Sequence, residues 1–342
     1  MCQSFQRILL KASILMSEAD KFFSDKSSFE ESARLFRTAK GKVKEGKDDE
    51  GFRIFTRALI LDPLSSKSDW LMLAENPKEF EARRDIFRLI NLRIGKLRES
   101  ALKVEGGCSD SFDPCVFIYW GQGVSEAPPL VRKCIESAKK VIPCTSLVLL
   151  DDANLDAWID IPSVIREAKA KSYAAYSDYI RFALLSKYGG VWMDATCFVT
   201  EDPLRRYQEL ISGGGFFAFD KPQRGVISSW FLASRKDNYI AEINRLSQIL
   251  YWSVFDDVTT YFFAHQIFRA LYRMDNEFSQ RWDRRFRYCG DPRSLHRSLK
   301  VDVSADDFRG RVLSSFVHKL TYKVDSELLG PSSGYRRFMD EV

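Results

Sequence analysis

Hydrophobic and polar positions follow two different patterns along this chain. In residues 1 to about 105, apolar residues recur every three to four positions, as in ARLFRTAKGKVKEG and DEGFRIFTRALILDP, which is the spacing of amphipathic helices. This first third shows no strand-like alternation. The pattern therefore predicts an all-helical N-terminal segment over residues 1–105.

Part of this segment is typical of a tetratricopeptide repeat. The stretch EGFRIFTRALILDPLSSKSDWLMLAE places the small Ala58 near the large Phe55 and Leu59, and its helix pattern stops at Pro63. Only about one and a half units are visible, and such repeats need neighbours on which to stack. We therefore expect the segment to pack on the main domain or to bind a partner protein.

The second pattern begins after residues 103–114, a stretch rich in Gly, Ser, Asp and Pro that we take as the domain boundary. Beyond it, short apolar runs at CVFIYW, SLVLLD, GVWMDATCFV and GFFAFD alternate with helical patterns. Alternating strands and helices predict an α/β domain over residues 113–342, with a Rossmann-type, mainly parallel sheet and helices on both faces. Such sheets bind ligands at the carboxyl ends of their strands.

Composition narrows the class of protein. The 342 residues are 45% hydrophobic, enough for a large core, and no apolar run reaches the roughly 18 residues of a membrane span. Seven cysteines without a CxxC pair and an N-terminus without a signal cleavage site indicate a cytoplasmic protein. The net charge of +5 comes from interleaved acidic and basic residues, which argues against a nucleic-acid-binding protein.

One basic cluster stands apart from this even distribution, RWDRRFR at residues 281–287. A solvated helix face is its simplest interpretation. The alternative is peripheral contact with an anionic membrane surface or a lipid-linked acceptor, on the inner face of the membrane.

The candidate chemistry lies in the stretch SDYIRFALLSKYGGVWMDATCFV. Asp178 and Arg181 are three residues apart on one helix face, and a helix cap or an exposed ion pair is the simpler interpretation of the two. Asp194 is more informative, because a carboxylate on an otherwise apolar strand is costly unless something binds it. We therefore expect Asp194 to face a ligand.

Together these residues resemble the S-D-x-x-R…G-G-x-x-x-D motif of GT-A glycosyltransferases, most closely the capsular polysaccharide synthesis family and its relatives in glycosyltransferase family thirty-two. The stretches IYWGQGVSEAPPLVRKCIES, LVLLDDANL and VHKLTYK also fit this group, so the resemblance covers about residues 113–323. It implies a GT-A-like domain that moves a sugar from a nucleotide-diphosphate sugar to a surface polysaccharide or other glycan acceptor, with retention of configuration.

The resemblance also implies roles for individual residues. Asp178 and Arg181 are expected to bind hydroxyl groups of the donor sugar. Asp194 corresponds to the first acid of a D-x-D element, which contacts ribose, sugar or the water shell of a metal ion. Trp120 and Gly123 are expected to surround the nucleobase and the ribose.

The diphosphate is expected to lie beside Lys319 and Lys323. A divalent cation, Mn²⁺, is the implied cofactor, with Asp194 and His318 as ligands, because a cation or lysines stabilise the negative charge of a departing diphosphate. Thr196 stands where many relatives carry the second acid of D-x-D, and its hydroxyl is a weak ligand for a hard cation. A strict Mn²⁺ requirement therefore does not follow from the motif.

Several other residues complete the expected site or are kept out of it. Gly189 and Gly190 are assigned to binding of the nucleotide sugar. Asp257 is a candidate for the acceptor side, with a helix N-cap as the alternative. His265 is expected to be a core or pocket-wall residue and His296 a loop residue, without catalytic roles.

A function of a different class stays open at this point. The N-terminal repeat pattern and the missing second acid also fit a catalytically weakened GT-A domain that acts as a helical-repeat adaptor. Stabilisation by nucleoside diphosphates would distinguish the two, since an adaptor gains nothing from such ligands.

Overall fold

Five strands form the central sheet of this protein, and four of them run in the same direction. The computed structural model describes residues 77–105, 113–219, 227–255 and 262–342, together with positions 34, 38 and 45. The chain divides into two compact units, residues 1–93 with 253–261 and residues 94–252 with 262–342. The strands described below all belong to the second unit.

The helix α1 (Pro77–Glu105) is the part of the predicted helical segment that the structure describes at length. Positions 34 and 38 are also helical, and Thr38 Oγ1 donates a hydrogen bond to the carbonyl of Arg34 at 3.1 Å. The repeat-like stretch at residues 51–76 lies outside the described residues, as do residues 106–112 of the predicted boundary. The tetratricopeptide-like segment and the boundary therefore stay predictions.

The first half of the second unit alternates strands and helices. Its elements are β1 (Val116–Tyr119), α2 (Pro129–Val141), β2 (Leu147–Leu150), α3 (Ser163–Lys171), α4 (Tyr173–Tyr188) and β3 (Gly190–Asp194). β1 pairs in parallel with β2 on one side and with β3 on the other. The predicted α/β class with a mainly parallel sheet is confirmed.

The second half departs from this alternation. Its elements are β4 (Cys197–Val199), α5 (Tyr207–Leu210), β5 (Phe216–Phe219), β6 (Ser228–Ser234), α6 (Tyr239–Val254), α7 (Phe263–Met274), α8 (Asn276–Asp283), α9 (Ser294–Ser298), α10 (Ala305–Leu313), β7 (Val317–Lys319) and α11 (Gly334–Glu341). β6 lies between β3 and β5, antiparallel to both, in the order β2-β1-β3-β6-β5. β6 was not expected from the sequence, because its seven residues are all buried and so lack the alternation of a half-buried strand.

The predicted single strand GVWMDATCFV is wrong, because the chain turns after Asp194. β3 ends there, and β4 pairs with β7 in a separate two-stranded antiparallel sheet. In that sheet Cys197 is opposite Lys319 and Phe198 is opposite His318. The turn thus brings the last residues of β7 close to the end of β3.

Helices cover both faces of the central sheet. Met193 of β3 belongs to an apolar cluster with residues of α2. On the opposite face, the ring of Phe182 in α4 stacks on Phe216 of β5, with ring centroids 6.4 Å apart. Because successive strand residues alternate in direction, Trp192 and Asp194 share the face that α4 covers.

Candidate active site

The ends of three parallel strands bring several candidate residues to one edge of the sheet. Tyr119, the last residue of β1, is in register with Leu150 of β2 and with Asp194 of β3. Trp120 and Asp151 follow directly after the first two strands. Because ligands of open parallel sheets bind at this carboxyl edge, it is the place to look for a site.

Asp178 and Arg181 form a buried ion pair on α4. Arg181 Nη1 lies 2.9 Å from Asp178 Oδ1, and the two side chains are only 8% and 9% exposed. The helix begins at Tyr173 with Ser172 as its N-cap, so Asp178 stands in the second turn and does not cap the helix. The two simpler interpretations, a helix cap and an exposed pair, are therefore wrong.

Arg181 also connects Asp178 to the second carboxylate of the site. Its Nη2 lies 3.5 Å from Asp194 Oδ1, and its Nη1 donates to the carbonyl of Ser229 at 3.0 Å. Its guanidinium carbon is 5.3 Å from the centre of the Trp192 ring. The buried Nε of Arg181 has no hydrogen-bond partner among the described residues. An unsatisfied buried donor of this kind is unusual for an arginine with a purely structural role.

Asp194 receives donors on both of its oxygens. Lys319 Nζ donates to Oδ2 at 2.6 Å, and Trp192 Nε1 donates to Oδ1 at 3.1 Å. Burial alone raises the pKa of Asp194, but attraction to Lys319 and Arg181, with these hydrogen bonds, outweighs it and lowers the pKa. Asp194 is therefore an oriented anion at neutral pH.

Asp178 protonates much more readily than Asp194. Burial raises the pKa of Asp178 to about 6, against the opposing attraction of Arg181. The negative charge of Asp194 acts in the same direction as burial, while the backbone N–H of Ala264 favours the charged form. Two neighbouring carboxylates that titrate in separate ranges are typical of functional sites.

Lys319 reaches this edge from near the C-terminal end of the chain. Its Nζ lies 2.6 Å from Thr196 Oγ1 and 2.6 Å from Asp194 Oδ2. On β7 it is opposite Cys197, and its backbone N–H donates to the carbonyl of Pro292 at 2.9 Å. The structure thus places Lys319 against Asp194, while its contact with a diphosphate stays a prediction.

His318 does not join Asp194. It precedes Lys319 on β7, so its side chain points to the opposite face of that strand. The ring is fully buried, stacks on Phe198 with centroids 6.0 Å apart, and has its Nε2 2.8 Å from the Val312 carbonyl oxygen. Burial lowers the pKa of His318 and keeps the ring neutral. The expectation that His318 and Asp194 bind the same metal ion is therefore wrong, because the two side chains lie on different faces of β7.

Gly189 and Gly190 lie at the opposite end of β3 from Asp194, roughly 13 Å away for a strand of this length. Both have positive φ angles, 71° and 84°. A Cβ on Gly190 would lie 2.3 Å from the carbonyl oxygen of Cys115, and a Cβ on Gly189 would lie 2.5 Å from the backbone nitrogen of Lys236. Gly189 and Gly190 are therefore needed for the turn from α4 into β3. The expectation that they bind the nucleotide sugar is wrong, because they lie at the far end of the strand.

Trp120, Gly123 and Lys323 are found at the carboxyl edge or next to it. The Trp120 ring meets Tyr322 edge-on at 5.7 Å, and its Nε1 is buried without a partner in the described part of the chain. A Cβ on Gly123, whose φ is 85°, would lie 3.8 Å from Asp151 Oδ2. Lys323 is exposed and follows Tyr322 directly.

Two residues beside the loop that contacts Lys319 were not predicted from the sequence. Arg293 follows Pro292, the residue that accepts the Lys319 backbone hydrogen bond, and its guanidinium carbon lies 6.0 Å from the centre of the Trp230 ring. No carboxylate among the described residues acts on the charge of Arg293. The Trp230 Nε1 is buried and has no partner within the same residues. The basic residues of the stretch DPRSLHRSLK are visible in the sequence, but nothing in their spacing shows that this stretch contacts β7.

The other candidate residues lie apart from this group or beyond the description. Asp257 lies outside the described residues, so its acceptor-side role stays a prediction. His265 is buried on α7, edge-on to Phe262 at 5.5 Å, in agreement with a core position. His296 lies on α9, so its expected position in a loop is wrong. Burial and neighbouring cations, Arg293 and then Lys319 first among them, lower the pKa of His296.

The basic cluster at residues 281–287 is partly used inside the fold. Arg281 Nη2 donates to Glu105 at 2.8 Å, and the guanidinium of Arg285 lies 3.8 Å from the centre of the Trp282 ring. The helix α8 ends at Asp283 and Arg285 is buried, so the interpretation of the whole cluster as a solvated helix face is wrong. Membrane contact stays a prediction. Across the described ranges, the helices are either too short or too polar to cross a membrane.

The family model described as "Capsular polysaccharide synthesis protein" matches residues 76–337, more than half of the chain. The matched range includes every site residue discussed above. Comparisons with curated proteins and with solved structures give no match.

Proposed function

The chain belongs to the capsular polysaccharide synthesis protein family, and from this premise we propose that it is a glycosyltransferase. It takes a sugar from a nucleotide-diphosphate sugar and transfers it to a surface polysaccharide or another glycan acceptor. The family supports a role in polysaccharide biosynthesis, and the geometry of the carboxyl edge supports the sugar-transfer chemistry.

The observation that carries this proposal is the cluster of four charged side chains at that edge, which we call the charged cluster: Asp178, Arg181, Asp194 and Lys319. Bringing charges together out of water costs free energy that a well-packed apolar group would not. The cluster also contains an arginine donor without a partner among the described residues and a carboxylate with a pKa raised to about 6. Such features favour ligand binding over a structural role.

The donor sugar is proposed to bind at Asp178 and Arg181. A carboxylate accepts hydrogen bonds from hydroxyl groups, and a planar guanidinium donates in a fixed direction, so together they distinguish the positions of neighbouring hydroxyls. Asp194 is held in place by Trp192 and Lys319 and accepts from a hydroxyl of the sugar or the ribose.

The diphosphate is proposed to lie on the cationic side of the cluster. Lys319 lies there, and its backbone bonds to Pro292, the residue before Arg293. Lys323 follows Tyr322, whose ring contacts Trp120. Negative charge develops on the diphosphate oxygen as it leaves, and preorganised cations in a partly dry site stabilise that charge. The Trp120 ring and its free indole N–H suit a nucleobase, which offers both a flat face and acceptor atoms.

The GT-A type, the acceptor class and retention of configuration enter the proposal from the family resemblance. The adaptor alternative gives the charged cluster no role, so we retain the enzyme as the single candidate.

Ligand-dependent melting of the purified full chain tests the proposal. Nucleoside diphosphates of the common bases are added one at a time, with the corresponding monophosphates as controls, and a panel of nucleotide sugars is then screened for release of the diphosphate. We expect at least one diphosphate to raise the melting temperature more than its monophosphate does, and its sugar conjugates to be hydrolysed or transferred. If no ligand of the panel raises the melting temperature and no nucleotide sugar is turned over, the glycosyltransferase proposal is wrong and the adaptor hypothesis is favoured.

A further inference from the structure

One ammonium group lies between the two oxygens that a D-x-D-type metal site would use. Lys319 Nζ is 2.6 Å from Asp194 Oδ2 and 2.6 Å from Thr196 Oγ1. A small divalent cation would bind such oxygens at about 2.1 Å. The ammonium and the ion therefore compete for the same place.

The remaining groups of the site do not fit a divalent cation either. The other oxygen of Asp194 already accepts from Trp192 at 3.1 Å and lies 3.5 Å from an Arg181 nitrogen. His318, the expected second ligand, is bonded to the Val312 carbonyl on the far face of β7. Within the described residues no group of three His, Cys, Asp or Glu side chains is arranged to hold a metal ion. Hard cations take about six oxygen ligands, and this site offers one carboxylate that is already satisfied.

Lys319 is positioned by the backbone as well as by its side-chain contacts. It is opposite Cys197 in the β4–β7 ladder, and its N–H donates to the Pro292 carbonyl. The side chain is 19% exposed, so its ammonium is largely shielded yet open on one side. An ammonium has three N–H donors. Asp194 and Thr196 take two of them, which leaves one for a ligand.

Arg293 adds a positive charge to the loop that Lys319 contacts through its backbone. Its backbone follows Pro292, and no carboxylate among the residues described balances its charge. The two carboxylates of the charged cluster are matched by Arg181 and Lys319, so the charge of Arg293 leaves the neighbouring loop with a positive surplus, which favours the approach of an anion.

We propose that Lys319 is the built-in cation of this site and that the diphosphate is bound, and released, without a divalent metal ion. This inference rests on the proposed function. When the bond between the anomeric carbon and the diphosphate oxygen breaks, the electron pair stays on that oxygen, and Lys319 stabilises it by hydrogen bonding. The acceptor oxygen bonds to the same carbon, and its proton passes to the released diphosphate. Lys319 keeps its own protons throughout.

Two measurements on the purified full chain test this inference. Electron paramagnetic resonance counts the Mn²⁺ bound by the protein alone, and melting curves record stabilisation by inorganic pyrophosphate and by nucleoside diphosphates in the presence of EDTA. We expect no stoichiometric Mn²⁺ binding and undiminished stabilisation in EDTA. Lys319→Met should weaken pyrophosphate binding about tenfold or more, since it removes a hydrogen bond from a charged donor.

Two matched variants separate loss of the ammonium from general damage. Lys139→Met removes an exposed lysine on α2 and should bind pyrophosphate like the wild type. Lys319→Arg keeps the positive charge and should retain most of the EDTA-resistant binding, which a misfolded protein would not do. The Mn²⁺ count on the wild type needs no variant at all.

The failures of the inference and of the proposed function have different signatures. If the wild type is stabilised by diphosphates only when Mn²⁺ is present, and Lys319→Met behaves like the wild type, the inference is overturned and the glycosyltransferase stands. If neither pyrophosphate nor any nucleoside diphosphate stabilises the wild type, with or without Mn²⁺, the proposed function and the inference fall together.

Discussion

Two arginine–carboxylate pairs with the same three-residue spacing and a buried carboxylate lie on two helices of this protein. Asp178 and Arg181 belong to α4, and Glu242 and Arg245 belong to α6. The second pair is fully matched: Arg245 donates twice to Glu242, at 2.8 and 2.6 Å, and the Ser186 hydroxyl donates to the same carboxylate at 2.6 Å. This is what a structural pair looks like when each group has its partners.

The first pair is built differently. Arg181 is shared between Asp178 and Asp194, and its Nε has no partner in the part of the chain that the structure describes. The pKa values also move in opposite directions: burial raises that of Asp178 to about 6, whereas for Glu242 the bonds from Arg245 and Ser186 outweigh burial and lower it. The same spacing in the sequence thus gives one closed pair and one pair that stays open at the carboxyl edge of the sheet.

Removing the charge of Asp194 should give the largest effect. Asp194→Asn keeps the side-chain volume but loses the anion that orients Lys319 and Arg181, so turnover of the nucleotide sugar should fall about 100-fold or more. The melting temperature should drop by a few degrees at most, because the pair with Lys319 is partly exposed and solvent screens it. Steady-state release of nucleoside diphosphate measures the first effect and calorimetry the second.

The control is Asp306→Asn, which changes an exposed carboxylate paired with Arg309. Its turnover and melting temperature should match those of the wild type. If Asp194→Asn keeps near-wild-type turnover, Asp194 has a structural role only, and the Asp178–Arg181 pair that it adjoins is not part of a catalytic site.

Exchanging each arginine for lysine sharpens the comparison. Arg181→Lys keeps the charge but loses the planar fork, so kcat/KM should fall about tenfold or more while the fold persists. Arg245→Lys breaks two bonds to the buried Glu242 and should lower the free energy of unfolding by about 1–3 kcal/mol with kcat/KM unchanged. Both kcat/KM and the free energy of unfolding are measured for both variants. Equal losses of activity, or equal losses of stability, would show that the two pairs have the same role.

The two carboxylates should also give opposite stability changes with pH, the smallest of the effects. The folded-state pKa of Asp178 is raised to about 6, so the folded protein favours the protonated carboxyl. The stability that this protonated carboxyl contributes is complete below about pH 4 and is lost as pH rises through about 6. Asp178→Asn imitates the protonated form and should therefore be more stable than the wild type at pH 7, by on the order of 1–3 kcal/mol, and equal to it at pH 4.

Glu242→Gln provides the mirror image. The pKa of Glu242 is lowered, so its contribution is present at neutral pH and is lost as pH falls below the ordinary range of a glutamate. The variant should be less stable than the wild type at pH 7, and this difference should shrink in acid. Urea unfolding at pH 4, 5, 6 and 7 measures both series, and slopes of the same sign would contradict the contrast between the pairs.

Local pattern was sufficient for much of this fold. The apolar runs CVFIYW, SLVLLD and GFFAFD contain β1, β2 and β5, which start and end within one residue of the runs, and helices alternate with the first strands as predicted. Asp178 and Arg181 on one helix face, followed by Asp194 on the next strand, also come together as expected. These features depend on neighbours within one element, where periodicity is a direct signal.

Other features depend on segments that are distant in the chain. β6 is buried along its whole length, so its pattern does not reveal that it would lie between β3 and β5. Arg293 lies beside β7 only because the carbonyl of Pro292 accepts from the backbone of Lys319. The diglycine resembles a ligand-binding element, but close approach of Cys115 and Lys236 accounts for it. No local spacing reports such contacts, since they arise when separate elements pack.

The sequence by itself determined that an acid, an arginine and a second acid share one face of a helix–strand unit, because the helical and strand periods leave little choice. Only the tertiary structure decided which basic side chain contacts the second acid. On β7, His318 and Lys319 are adjacent, and the register with β4 sends one side chain into the apolar cluster and the other to Asp194. A shift of one residue would exchange them, since successive strand residues point to opposite faces. That register depends on the turn after Asp194 and on packing between segments more than 100 residues apart, so it cannot be read from either segment alone.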